Sequence, residues 1–228
     1  MLSPDDLTAL RLTFQLALIS TAILLLICTP LAWWLAHTRW RGRTVVEALV
    51  MLPLVLPPTV LGFYLLLLLG PQGWVGGTLE AFGFSHLAFT FTGLVIGSMI
   101  YSLPFVMQPL TAAFQAAGGR MTEVAATLRA SPLDRFFTVV VTLARRGFLT
   151  AIVLSFAHTL GEFGMIIMIG GNIPGSTQVA SIAIFNHVEA MDYASAHALS
   201  AILVALSFSL LLAVYALNRK FKVVGIGA

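Results

Sequence analysis

The sequence predicts an all-α integral membrane protein with about five membrane-spanning helices. Of its 228 residues, 59% are hydrophobic and only 9% are charged, whereas a soluble domain carries about 25% charged residues. The apolar runs have the length of helices, and the alternating pattern of barrel strands is missing. Nearly all basic residues fall on one side of the predicted spans, which indicates the orientation of the chain.

The first two spans differ in how continuous they are. An external N-terminal segment, 1–12, precedes the first span at 13–35. At 1.5 Å per residue this span is about 34 Å long, enough to cross a hydrocarbon core of about 30 Å. The second span, 45–69, contains three prolines, among them Pro57 and Pro58. These prolines must break or kink it, because proline lacks the amide hydrogen that a continuous helix needs.

The later spans are separated by polar or glycine-rich segments. Residues 70–86 read as a glycine-rich loop, and residues 179–188 are amphipathic enough to lie along the membrane surface or dip into it. The remaining spans are predicted over 90–110, 148–169 and 198–217, as parts of a single transmembrane domain 13–217. Residues 218–228 form a tail.

The basic residues orient the spans. Eleven of the twelve lie in the segment 37–44, the loop 111–147 and the tail, and only Arg11 lies elsewhere. The positive-inside rule makes that side cytoplasmic, so the N-terminus is external and the C-terminus is internal. The acidic residues expected on the opposite side are Asp5, Asp6, Glu80, Glu189 and Asp192.

The cytoplasmic loop 111–147 has the pattern of helix, break and helix. A first short helix is predicted over Thr122–Leu128. Ser131 is a suitable N-cap for a second helix, Pro132 suits its first position, and Asp134 completes a box-like pattern. Two short helices at a capped corner would project from the membrane as a knob on which a partner can dock.

Two ionisable residues stand out within the fourth span. Glu162 is an intramembrane carboxyl group, which is a functional candidate by default, and His158 is predicted to lie one turn earlier on the same helix face. A proton relay, a gradient-driven carrier or an intramembrane enzyme could use such a pair. Equally, Glu162 could be neutral or bonded to backbone groups that Gly161 and Gly164 set free.

The predicted spans offer neutral polar groups but no arginine or lysine. Tight oxyanion binding normally uses such cations or arrays of N–H donors, so a path lined in this way would pass an ion without holding it. For any one hydroxyl group, bonding back to its own helix is the commoner role. The candidates for a path or gate are Pro57, Pro58, Thr59, Ser102, His158, Glu162 and Asn172.

The phosphate-binding motif G-x-x-x-x-G-K-[ST] and the catalytic motifs H-E-x-x-H and G-x-S-x-G are missing from the chain. The single cysteine, Cys28, lies in an apolar run and is expected to pack there, so no cysteine-based metal site is available. The sequence thus predicts no catalytic residue and no metal site. Energy for uphill transport would have to come from another polypeptide or from an ion gradient.

The cytoplasmic loop resembles the EAA loop of type I ABC importer permeases, whose motif reads E-A-A-x-x-x-G followed by an apolar stretch ending in L-P. Glu123 and Ala125 match, Val124 replaces the middle alanine, Arg129 replaces the glycine and Thr142 replaces the proline. The glycine allows a sharp turn, so either Arg129 must adopt that turn or the corner must shift toward Ser131 and Pro132.

Two further stretches, 52–62 and 160–178, look like the molybdate permeases within that family, and the resemblance covers about Leu12 to Leu217. It implies a homodimer in a bacterial inner membrane, surrounded by lipid, with two cytoplasmic ATPase subunits and an external molybdate-binding protein. It implies no nucleic-acid partner and no cofactor on this chain, with ATP and Mg bound by the ATPase. Tungstate or sulfate import by the same architecture is the alternative.

The resemblance also implies a role for the cytoplasmic loop, which in the family seats a coupling helix in a groove of each ATPase. The residues expected to form this coupling loop are Glu123, Ala125, Arg129, Ser131, Pro132, Asp134 and Arg135.

Overall fold

A computed structural model describes residues 2–117, 124, 125 and 127–220, with the side chains of 214 and 217–220 left aside. Within these residues the chain is helical and contains no strand. In chain order the helices are α1 (Pro4–His37), α2 (Arg43–Val55), α3 (Pro58–Leu69), α4 (Trp74–Ala81), α5 (Phe91–Ala117), α6 (Pro132–Asp134), a π-helix (Arg135–Val140), α7 (Val141–Leu160), α8 (Gly164–Gly170), α9 (Ala180–Glu189) and α10 (Tyr193–Lys220).

Five helical segments of the described chain are long and apolar enough to cross a membrane, which agrees with the predicted number. They are Pro4–His37, Pro58–Ala81, Phe91–Ala117, Pro132–Leu160 and Tyr193–Ala213. Their bounds differ from the predicted ones at the start of the first helix and where the second and fourth spans are interrupted.

The first helix begins earlier than the sequence predicts. Ser3 accepts a hydrogen bond from the Asp6 amide at 3.1 Å, and the Asp6 carboxylate accepts one from the Ser3 amide at 2.8 Å. This reciprocal capping box starts α1 at Pro4. Most of the segment 1–12, predicted to lie outside the membrane, therefore belongs to the first turns of α1.

The predicted second span, 45–69, is two helices, as its prolines require. Helix α2 ends at Val55, Leu56 is extended with φ −73° and ψ 138°, and α3 begins at Pro58. A residue that precedes proline is pushed out of the helical region, and proline itself suits the first helical position. The predicted glycine-rich loop 70–86 is corrected in part, because it contains α4.

The predicted fourth span, 148–169, is also interrupted, which sequence reasoning missed. Helix α7 ends at Leu160, and α8 begins at Gly164. The amides of Gly161 and Glu162 bond to the carbonyl groups of His158 and Thr159, three residues back, at 3.2 and 3.4 Å. Because these bonds reach back three residues instead of four, they tighten the last turn and end the helix. Glu162 therefore lies in the break and not in a continuous helix.

The core is built around α5, which packs against α1 and α7. Buried residues of all three helices share one apolar cluster, with Cys28, Phe114 and Ala144 among its members. Helices α5 and α7 approach closely at Gly147, where an added Cβ would contact Ala113 Cβ and lie 2.9 Å from the Pro109 carbonyl oxygen. Small residues allow such close contact in membranes, where helix association depends on packing.

Helix α9 is attached to α1 through its first residues. Its start is buried, with Ala180 and Ile182 both fully shielded from solvent. The N-cap residue Val179 offers no side-chain cap, and instead the Thr13 hydroxyl of α1 accepts the Ala180 amide hydrogen at 2.8 Å. The amphipathic segment 179–188 is therefore a helix whose first turn enters the protein and whose end is exposed.

Replacing Gly147 by alanine should destabilise the protein by about 1–3 kcal/mol, because the added methyl group overpacks a contact with backbone atoms of α5. Thermal unfolding of the purified chain in detergent measures the effect. Gly161→Ala is the matched control, since its Cβ would have no neighbour nearer than 3.9 Å. Equal melting temperatures for the two variants would contradict the proposed close approach of α5 and α7.

Replacing Thr13 by valine should cost about 1–3 kcal/mol, because the buried amide of Ala180 loses its acceptor while the side-chain shape is kept. Thr8→Val on the same helix is the control, since the Thr8 hydroxyl bonds to the Pro4 carbonyl oxygen of its own helix and, among the described residues, to no other helix. Both variants would be compared by thermal unfolding. A Thr13 variant as stable as the Thr8 variant would show that this hydrogen bond does not anchor α9.

Candidate functional site

The two interrupted helices meet at their breaks. Gly164, the first residue of α8, would place an added Cβ 3.2 Å from Pro58 Cβ and 3.5 Å from Thr59 Cγ2 at the start of α3. Farther along, a Cβ at Gly62 would lie 2.7 Å from Met168 Cβ and 3.0 Å from the Met165 carbonyl oxygen. The absence of side chains at these glycines lets α3 and α8 pack almost backbone to backbone. Interrupted helices of this kind are typical of transport paths, where non-helical backbone is tolerated inside the protein.

A buried polar cluster lies beside this junction, between α5 and the end of α7. The Ser98 hydroxyl donates to Glu162 Oε2 at 2.8 Å. The Ser102 hydroxyl lies 3.0 Å from His158 Nδ1 and 3.2 Å from the Thr159 hydroxyl. Ser98 and Ser102 are spaced by one helical turn, so they present two hydroxyl groups to α7 from one face of α5. Both serines are fully buried, and Glu162 is only 4% exposed.

The predicted pairing of His158 with Glu162 is wrong. It assumed a helix continuing through both residues, but α7 ends at Leu160 and each side chain bonds to its own serine. No hydrogen bond joins the two in the region that the structure describes. Instead, the His158 ring stacks on Phe105 with centroids 4.1 Å apart and lies 4.7 Å from the Tyr101 ring. A direct relay between His158 and Glu162 is therefore not formed.

Sequence reasoning counted Ser98 and Thr159 among the neutral polar residues of the spans but chose only Ser102 as a path candidate. The spacing of Ser98 and Ser102 by four residues was the available signal, because it places two hydroxyl groups on one helix face. Their partners could not be known from the sequence, since the contacts join residues more than fifty positions apart.

The backbone at the Glu162 break is satisfied from α9. The Ser181 hydroxyl donates to the Glu162 carbonyl oxygen at 2.6 Å. At the other end of α8, the Thr177 hydroxyl donates to the Gly170 carbonyl oxygen at 2.7 Å. Two hydroxyl groups that follow α8 in the chain thus bond to carbonyl groups at its two ends, which fixes this short helix between the breaks.

The other path candidates lie at two different places. Pro57 lies in the break before α3, and Pro58 and Thr59 are the first two residues of α3, next to Gly164. Asn172 follows α8, and its side-chain amide exchanges two hydrogen bonds with that of Asn186 on α9, at 2.9 and 3.1 Å. Asn172 is exposed and bonds to α9 and not to the buried polar cluster.

A network of ionisable side chains on the predicted external side joins the start of α1 to the end of α9. His187 Nε2 lies 2.8 Å from Asp6 Oδ1, and His187 Nδ1 lies 3.7 Å from Asp192 Oδ2. Hydrogen bonds from Ser195 hold the pKa of the Asp192 carboxyl group below its usual range. These contacts add polar anchors to the apolar packing of α9.

The capped corner predicted in the cytoplasmic loop is present. The Ser131 hydroxyl accepts the Asp134 amide hydrogen at 3.2 Å, and Pro132 occupies the first helical position. Arg129 has a φ of +60°, so it adopts the left-handed turn for which its family counterpart is glycine. The Ala130 amide bonds to the Ala125 carbonyl oxygen at 3.2 Å and closes the preceding turn. Glu123 lies outside the described residues.

The corner presents both apolar and cationic groups. Its exposed large apolar side chains are Val124, Leu128, Leu133 and Phe137. Arg135 lines a cavity of about 250 Å³ together with Trp33 and Phe136. Its Nε is buried and has no hydrogen-bond partner among the residues described here. Asp134 is exposed at the surface of the corner.

A π-helix leads from this corner into α7. Arg135–Val140 form it directly after α6, and α7 then continues to the Glu162 break. A π-helical turn is less favourable than an α-helical one and is frequent at functional sites. One helical segment, formed by the π-helix and α7, thus leads from the corner to the buried polar cluster.

Comparison with known proteins agrees with this arrangement. The chain is 58% identical, over 97% of its length and 97% of the relative's, to the molybdenum transport system permease protein ModB of Azotobacter vinelandii. It is 32% identical, over 96% of its length and 78% of the relative's, to a probable sulfate transport system permease protein, cysT, of Nephroselmis olivacea.

Similarity of fold extends further than similarity of sequence. A crystal structure of a bacterial ABC transporter involved in the import of the acidic polysaccharide alginate superposes with a TM-score of 0.78, at 17% identity, covering 96% of this chain and 81% of that one. Residues 28–223 match the family described as binding-protein-dependent transport system inner membrane component. The chain therefore belongs to this family of inner-membrane transport permeases, as a multi-pass helical subunit.

Proposed function

We propose that this chain is the permease subunit of an ATP-driven importer and forms the membrane path for molybdate. The assignment of molybdate as the substrate rests on the 58% identity to a molybdenum permease along nearly the whole of both chains. Identity to a sulfate permease is much lower, at 32%, which favours molybdate. Import of sulfate or of tungstate is the alternative.

The geometry fits a permease that passes an oxyanion without trapping it. Two helix breaks meet at Gly164, and the adjacent polar cluster consists of hydroxyl groups, an imidazole and a carboxyl group. Its members include no arginine or lysine, so no strong charge-assisted site for a dianion is built there. High affinity would then belong to an external binding protein, in keeping with the name of the family.

The proposed partners follow from the family and from the surface of the corner. Two cytoplasmic ATPase subunits would bind ATP and Mg, and this chain would hold no cofactor of its own. The exposed apolar side chains of the corner support docking of such a subunit, because a polar loop that displays large apolar residues is suited to a protein contact. The residues proposed to contact the ATPase are those of the coupling loop: Glu123, Ala125, Arg129, Ser131, Pro132, Asp134 and Arg135.

A second copy of the chain would complete the path. Helix α3 starts at the proposed path yet exposes Phe63, Tyr64 and Leu67 along its length. A homodimer would place such a face from each copy beside the path, with lipid covering the remaining apolar surface. The symmetric pairing of two identical subunits is the commonest oligomeric arrangement.

Reconstituted vesicles test this function. With the ATPase and ATP inside and the molybdate-binding protein outside, uptake of molybdate should continue after the proton gradient is dissipated. Glu123→Lys should abolish it, because the charge reversal removes the matching residue of the coupling motif. Tungstate and sulfate serve as competitors. Uptake that needs the proton gradient and not ATP would indicate a carrier, and stronger uptake of sulfate would reassign the substrate.

Charge reversal at Arg129 tests the coupling corner separately. We expect Arg129→Glu to weaken binding of the ATPase by about tenfold, since a close charge pair at an interface contributes about 1.5 kcal/mol or more, and to lose ATPase stimulation. Arg129→Gly is the matched variant, because glycine keeps the positive-φ turn while removing the charge. Unchanged stimulation in the Arg129→Glu variant would exclude a contact with an acidic residue of the ATPase.

A further inference from the structure

The Glu162 carboxyl group is incompletely bonded. Ser98 donates a hydrogen bond to Oε2 at 2.8 Å. Oε1 is shielded from solvent and has no hydrogen-bond partner within the described chain, although the residue is only 4% exposed. Buried polar atoms are almost always hydrogen-bonded, so an orphaned oxygen in the middle of a polar cluster calls for an explanation.

No positive charge compensates a carboxylate at this position. From α5, Ser98 and Tyr101 face Glu162, and from α7 the titratable neighbour is His158, whose Nδ1 is engaged by Ser102. From α9, Ser181 bonds to the backbone carbonyl group and not to the carboxyl group. Helix α8 carries no titratable side chain, and in the described part of the protein no ion pair includes Glu162.

An ionised Glu162 would therefore be unfavourable for two reasons. Burying a carboxylate that has one hydrogen bond and no counter-charge carries a large desolvation penalty. In addition, a fixed negative charge beside the path would repel a dianion at the point where the surrounding dielectric constant is lowest. A proton on Oε1 removes both difficulties, because it neutralises the group and leaves Oε2 as the acceptor for Ser98.

We propose that Glu162 is a neutral carboxylic acid whose Oε1–H group is a hydrogen-bond donor for a tetrahedral oxyanion in transit. This inference rests on the proposed function for its ligand. The O–H group would donate to an oxygen atom of the anion as it passes Glu162. The proton stays on Oε1 throughout, so no proton is transported.

Such a donor suits a path that must bind an anion weakly. Hydrogen bonds from a neutral donor to a charged acceptor are stronger than those between neutral groups, yet weaker than contacts with an arginine or lysine. A carboxylic acid kept neutral by its surroundings is an established way to supply such a bond to an oxyanion. The proposal thus assigns Glu162 to oxyanion binding within the membrane.

Infrared difference spectra of the permease–ATPase complex in lipid at neutral pH test the proton. The spectrum of the wild type minus that of Glu162→Gln should show the carbonyl stretch of a protonated carboxylic acid. Glu189→Gln is the control, because Glu189 is exposed at the end of α9, away from the buried polar cluster, so its replacement should leave this band unchanged. Absence of the protonated band would overturn the proposal and indicate an ionised group.

Uptake rates test the donor. Glu162→Gln keeps an N–H donor of similar shape and should transport faster than Glu162→Leu, which has none and should lose about tenfold or more. Equal losses in both variants would overturn the donor role. Should the leucine variant fail to fold, addition of molybdate to the wild type during turnover should shift the protonated band, and an unshifted band would overturn the same role.

These readouts separate the inference from the proposed function. A wild-type protein that shows the protonated band but does not take up molybdate would reject the proposed substrate and still support a neutral Glu162. Molybdate uptake by a wild type without the band would support the proposed function and reject this inference.

Discussion

The hydrogen-bonding requirement of backbone groups inside a membrane governs this structure. A helix satisfies its own backbone, so each break leaves amide and carbonyl groups that hydrocarbon cannot bond. Here the breaks around α8 are satisfied by hydroxyl groups, with Ser181 donating to the Glu162 carbonyl oxygen and Thr177 to that of Gly170. Thr13 of α1 in turn accepts the first amide hydrogen of α9. The positions of α8 and α9 thus depend on a few short side-chain contacts.

Beside these breaks lies a buried polar cluster whose described members include no arginine or lysine. The serines of α5 bind Glu162 and His158 separately, and the aromatic rings of Phe105 and Tyr101 enclose the imidazole. A path next to such groups interacts with an anion through hydrogen bonds, which are weaker than ion pairs with arginine. Weak binding inside the membrane is what a permease needs when a separate protein captures the substrate and another supplies the energy.

One continuous run of helix joins the cytoplasmic corner to the polar cluster. The Ser131 cap and the left-handed turn at Arg129 shape the corner, and the chain then runs through the π-helix and α7 to the break at Glu162. Close packing at Gly147 joins α7 to α5, which carries Ser98 and Ser102. A displacement of the corner would therefore act on the helix whose end forms the polar cluster, because packed helices transmit small shifts as rigid elements.

The sequence by itself determined the membrane class, the number of spans, the proline break before α3 and the capped corner, because apolar length, proline and capping residues act locally. It also predicted the family to which the chain belongs. Only the tertiary structure decided that α7 stops before Glu162, that Glu162 bonds to Ser98 and not to His158, and that Thr13 caps α9. The contacts of Glu162 and Thr13 join residues far apart in the chain, about which hydropathy and spacing along the chain contain no information.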